Sequence, residues 1–289
     1  MISDREDGWV NHARGLERIF ALRGPKQMSS LPCVMILEQT RTTMIFAAII
    51  LRKPTILARP EWKTEPWVHH PERIDPGKLL FDILSDCPEL FVLRDQAMSE
   101  VDDGKRAEIV RDLYEKARSI LKDLEEWGLS WAADSSTACT EVPAPPSTPT
   151  ILDDDGNPSP AWSTIFEYQS LMQCAGATMY NGALILVVQF VIGLEVLIHG
   201  ECKDESLLER LYTAGMIICR SVDYHMHYSH TLGGDQSAFF LLFPLRMAHE
   251  AVGESEPAVG LWLRGVLEDI TSNGRGTWKS ARSLLDIRM

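Results

Sequence analysis

The densest run of chemically capable side chains is Asp223-Tyr224-His225-Met226-His227-Tyr228-Ser229-His230. On a helix Asp223 and His227 fall at i,i+4, the spacing at which a carboxylate can orient an imidazole for acid–base work. His227 and His230 fall at i,i+3, which brings two ring nitrogens toward one metal, but a zinc centre needs a further ligand from elsewhere. The competing account is structural: histidines near a helix C-terminus complement its dipole, and Gly233-Gly234 would stop that helix. On this balance no metal and no cofactor are expected. Glu195 and His199 make a second i,i+4 pair, near the end of the most apolar segment, with Gln189 about one and a half turns earlier. Polar groups placed there either pair within the core or line a cavity between helices. Together with Tyr168, the residues Asp223, His225, His227, His230, Gln189 and Glu195 form the candidate ligand pocket.

Other templates fare worse. Asp153-Asp154-Asp155 and Asp102-Asp103 invite comparison with carboxylate sites that hold Mg²⁺ against a diphosphate. Gly156-Asn157-Pro158 breaks any helix after the first run, and Asp102-Asp103-Gly104 reads as a helix start, which disfavours a terpene cyclase. No P-loop, G-x-S-x-G or H-E-x-x-H motif occurs. The six cysteines, at 33, 87, 139, 174, 202 and 219, lack metal-ligand spacing and are expected as free thiols. The eight tryptophans are expected to anchor core or interface rather than stack on a cofactor.

The elements that must carry these residues are helical. In 106–127 the residues Ile109, Val110, Leu113, Ala117, Ile120, Leu121 and Leu124 form one stripe, backed by a charged face with Asp112–Lys116 and Arg111–Glu115 pairs. Similar stripes run through 8–22, 33–52, 76–94 and 205–228. No run shows sustained strand alternation with hairpin turns. The fold class is therefore all-α, a multi-helix orthogonal or bundle-like domain. The stretch Gly182–Ile198 is apolar but interrupted by Gln189, Gly193 and Glu195, and reads as a core helix rather than a membrane span. Residues 133–160 are Pro-, Ser- and Asp-rich and read as a flexible loop too polar to pack. After it, Ser159-Pro160 offers an N-cap and an N1 proline, so a long helix is expected from about Trp162. The organisation expected is an N-terminal helical segment (1–132), the loop (133–160) and a C-terminal apolar segment (161–289), co-folded as one domain.

Composition limits partners. The 289 residues carry 28 Lys and Arg against 41 Asp and Glu, a formal charge of −13. Direct nucleic-acid binding and anionic membrane surfaces are disfavoured, because both need clustered cations. The first residues, MISDREDGWV, are charged and contain no apolar core of a secretory leader, so a cytoplasmic or nuclear location is expected.

Three stretches in order carry a family resemblance: Trp9-x-x-His12-x-x-Gly15 followed by Arg23-Gly24-Pro25; Arg41 through Ala58 with a following Trp62; and Phe239–Ala248 (FFLLFPLRMA) followed by Trp262 and Trp278. This set resembles the regulatory domain of fungal zinc binuclear cluster transcription factors. The resemblance implies an all-helical effector or interaction domain in the control of metabolite gene clusters. It departs from the family in one respect: the DNA-reading module, six closely spaced cysteines with a basic run, is not in this sequence. Two readings follow. One is a module that binds an apolar small molecule or a protein partner, as a fragment of a regulator or a co-regulator, with a homodimer compatible with its apolar helices. The other is the same fold used as an enzyme of fungal natural-product biosynthesis, a cyclase or a pericyclase such as a Diels–Alderase, holding an apolar substrate in a reactive conformation.

Overall fold

The computed structural model describes residues 8–152, 156–202, 204–231 and 235–273; side chains at 135, 228–231, 235–239 and 271–273 are not among those described. The chain is an all-α multi-helix domain, with four short strands among the described residues. Helix α1 (Gly8–Arg23) turns at Gly24, whose φ of 80° suits a residue without a Cβ, and an antiparallel neighbour follows as α2 (Leu31–Leu51). The short α3 (Pro60–Thr64) leads to α4 (Pro76–Leu84), capped by Asp75 accepting from the Lys78 amide at 2.7 Å. Helix α5 (Cys87–Ser99) follows, so the single stripe expected over 76–94 is broken at Ser85-Asp86. Pro88 explains the break: in a continuous helix its nitrogen would have to bond the Leu84 carbonyl, but it has no N–H and its ring crowds that carbonyl, whereas in the first turn of α5 neither matters.

Helix α6 (Asp103–Ala133) starts where Asp102 caps the Lys105 amide at 2.9 Å. Its buried face is Val110, Leu113, Ala117, Ile120, Leu121, Leu124 and Trp127: the apolar stripe of the sequence without Ile109, which is half-buried, and with one tryptophan added. Helix α7 (Leu171–His199) is buried almost without interruption from Asn181 to Val191 and ends at Gly200. It packs on α6, α8 (Glu205–Thr231) and α9 (Asp235–Val252), and α10 (Pro257–Asn273) closes against α9. At the centre Phe46 of α2 meets Phe243 of α9 with ring centroids 4.8 Å apart. Gly182 of α7 makes room there: a Cβ on it would lie 3.1 Å from Phe243 and 3.2 Å from the Pro244 backbone. One hydrophobic cluster takes residues from both sides of the connector, among them Leu90, Leu121, Val187, Ile218 and Leu263. By length and composition α2 and α7 could each cross a membrane; in the fold just over half of each apolar window is buried.

The connector differs from the expected loop. It carries β1 (Thr140–Pro143), β2 (Thr150–Leu152) and β3 (Pro158–Pro160), with β4 (Thr164–Glu167) just beyond. β1 pairs antiparallel with β4, Thr140 opposite Glu167, and β2 pairs with β3, Thr150 opposite Pro160. The long helix starts at Leu171, capped by Ser170, and not near Trp162; Ser159 and Pro160 lie in β3. The local Ser-Pro signal is overridden by strand pairing and by Trp162, which packs edge-on against Trp262 of α10 at 5.3 Å. The ribbon is fastened to α8 by Arg220. Its Nε donates to the Thr164 carbonyl at 2.8 Å, its Nη2 pairs with Glu141 at 2.6 Å, and its guanidinium lies 4.0 Å from the Phe166 ring centroid. Asp153–Asp155, Gly233-Gly234 and Trp278 lie outside the described residues.

Candidate functional site

Helical geometry separates the histidine cluster. Residues two apart on a helix point about 200° apart, so His225 and His227 of α8 occupy opposite faces. His225 is fully buried, one helical turn beyond the buried Ser221 and Val222, and burial pushes its pKa down to about 4. It is a neutral imidazole at neutral pH. His227 is exposed and Asp223 is half-buried, its carboxyl raised by desolvation. The backbone of His230 belongs to α8, and its side chain lies outside those described. Among the described residues no group of three or more His, Cys, Asp or Glu is arranged to hold a metal.

Tyr168 follows β4 and reaches the same helix from outside. Its ring stacks edge-on against Tyr224 at 5.4 Å, and its hydroxyl lies 2.7 Å from Ser221 Oγ. Ser221 donates its own proton to the Ile217 carbonyl at 2.7 Å, so Tyr168 is the donor of the pair. Burial raises the Tyr168 pKa further from neutrality. Tyr168 is thus a strut between the ribbon and α8, with Cys174 and Phe166 in the same small apolar cluster.

Gln189 and Glu195 lie on α7 but share no partner. Gln189 is largely inside, and among the described residues its Oε1 has no hydrogen-bond partner. Glu195 receives the Tyr114 hydroxyl at 3.3 Å and the Cys202 thiol at 3.2 Å. Burial first, then the Glu195 charge, raises the Tyr114 pKa. Glu195, His199, Glu201 and Asp204 line an open recess of about 420 Å³ at the turn from α7 to α8. Around that turn the chain exposes Val196, Leu197 (67%), Ile198, Leu208 (53%) and Tyr212. A helix end exposed on all sides is ordinarily polar; this one carries three consecutive aliphatic residues. Asp223, His225, His227 and Tyr168 are not among the described residues lining this recess.

A buried charged centre carries no sequence motif. Arg41 of α2 and Lys78 of α4 are both buried and share Asp82, at 2.6 Å to Oδ1 and 2.5 Å to Oδ2. Lys78 Nζ also donates to the Lys63 carbonyl at 2.7 Å and sits 4.7 Å from the Trp67 ring centroid. Burial lowers the Arg41 pKa, with Asp82 opposing the shift. Arg41 begins the second stretch of the resemblance, so that stretch carries an architectural ion pair. The four cysteines Cys33, Cys87, Cys174 and Cys219 are buried free thiols, and burial raises the last of them to about 12, which suits inert packing.

The chain matches no family model, no curated protein and no solved structure in comparisons with each.

Proposed function

We propose that the chain is a helical interaction module that docks a protein partner at the α7–α8 corner, acting in regulation as the resemblance to fungal transcription factor regulatory domains implies. The observation that carries this reading is the exposed apolar set Val196, Leu197, Ile198, Leu208 and Tyr212 beside the acidic recess of Glu195, Glu201 and Asp204. Large apolar side chains left exposed on both helices of one charged turn are the kind of surface that interaction sites use. An open recess suits a partner's side chains better than it suits a small substrate, which needs most of its surface enclosed. The partner class that fits presents apolar side chains flanked by lysine or arginine. On this reading the module works in the cytoplasm or nucleus in the control of secondary metabolism, and its acidity leaves DNA contact to the partner.

The enzyme reading asks Asp223, His225, His227, Tyr168 and Glu195 to converge on one cavity. The helix turns two of them apart and commits Tyr168 to Ser221. The test is affinity capture from host extract with the wild-type chain and with Leu197→Asp and Leu208→Asp, each checked for an unchanged melting temperature. A partner retained by wild type and lost by both variants supports the reading. Equal retention by all three, or isomerisation of a host metabolite by the purified chain, overturns it. A second copy as the partner would appear as a dimer in light scattering that both variants dissolve.

A further inference from the structure

Helices α1 and α2 flank a second recess, of about 170 Å³, whose apolar lining from the two helices is Ala13, Met44, Ala47, Ala48 and Leu51. Its rim is cationic. Arg14 and Arg18 stand one turn apart on α1, and Lys53 faces them from the end of α2. Among the described residues none of these three forms an ion pair, although the protein as a whole carries −13. The backbone that presents Lys53 is fixed: Arg52 adopts φ 51°, its N–H and that of Lys53 close on the Ile49 and Ala48 carbonyls, each at 3.0 Å. Glu17, the acidic residue of the lining, faces the same loop. Its Oε1 accepts from Thr55 Oγ1 at 2.7 Å and from the Ile56 amide at 2.9 Å, tying the loop to α1. One carboxylate thus braces the wall, and the lining keeps three cations against it.

From the apolar floor and this cationic rim we infer that the recess binds a small organic anion, a carboxylate on a compact apolar body of about six carbons. The size follows from volume: a cavity of about 150 Å³ lined by apolar side chains accommodates benzene. The orientation follows from charge, with the hydrocarbon on the alanines and the carboxylate at Arg14, Arg18 and Lys53. Guanidinium groups favour carboxylates through paired, charge-assisted hydrogen bonds. The site lies on α1 and α2 and does not depend on the partner surface of α7 and α8.

The test uses the full chain and three probes in NMR titrations: benzoate, its uncharged counterpart benzyl alcohol, and inorganic phosphate. Benzoate is expected to shift the amides of α1 and of residues 47–56, with saturation in the millimolar range or below. Arg14→Gln and Arg18→Gln should each weaken it about tenfold, the loss of one charge-assisted hydrogen bond. Ala47→Leu should abolish binding by filling the floor; the arginine variants, altered at positions outside the core, keep the test decisive if that variant fails to fold. The inference is overturned if benzoate shows no binding at about 10 mM, if phosphate binds as tightly, or if binding survives both arginine changes.

Discussion

Replacing His225 with Gln tests whether the histidine cluster is architecture or chemistry. Its imidazole is fully buried, and burial pushes its pKa from 6.5 down to about 4. Between those values the unfolded chain binds a proton that the folded chain refuses, so unfolding is favoured as pH falls. The stability cost is absent above pH 6.5, grows by about 1.4 kcal/mol per pH unit below it, and levels off once pH passes below 4. At pH 5 the loss attributable to this residue is about 2 kcal/mol, and at full protonation about 3 kcal/mol. Other groups titrate in the same window, so the quantity to measure is a difference. Urea unfolding at pH 7.5 and pH 5.0 should show a smaller stability drop for His225→Gln than for wild type, by about 2 kcal/mol. Equal drops for the two proteins, or an imidazole that titrates near 6.5 by NMR, would refute the assignment of His225 to the core.

Asp82→Asn should cost about 3–5 kcal/mol, because it leaves Arg41 and Lys78 buried without their shared carboxylate; a loss below about 1 kcal/mol in urea unfolding would show that the centre is solvated. Two glycines of α7 should part company. Gly193 has open space around its missing Cβ, so Gly193→Ala should gain about 1 kcal/mol, whereas Gly182→Ala meets Phe243 and Pro244 and should forfeit that gain; calorimetry reads both. Arg220→Met should release the β1–β4 ribbon, raising hydrogen exchange of amides 140–167 while leaving α6 and α7 protected; unchanged exchange in the ribbon would mean that the strands hold without the clamp.

The helices were legible because burial writes a 3.6-residue period into the chain, and α6 shows it almost residue for residue. The strands were not, since each has only three or four residues and prolines occupy β1 and β3; their order comes from Arg220 and Trp162, contacts far away in sequence. Pro88 marked the α4–α5 break in plain sight, but the apolar stripe on both sides concealed it. The histidine run looked convergent because it is dense, although two-residue spacing already sends His225 and His227 to opposite faces. Glu195 and His199, one turn apart in the sequence, line one recess, and that recess is open and acidic rather than an enclosed cavity. Arg41 with Asp82, and Arg14 with Lys53, are pairings that only the tertiary fold creates.

The partner surface is tested most directly by a photo-crosslinking amino acid placed at Leu197, with a second chain carrying it at Met98, more exposed still on α5 but away from the α7–α8 turn in sequence. In host extract the account predicts a discrete protein adduct from position 197, competed by unlabelled wild-type chain and not by Leu208→Asp, with none from position 98. Identical adducts from both positions, or none from 197, would contradict the assignment of the α7–α8 corner as the docking face.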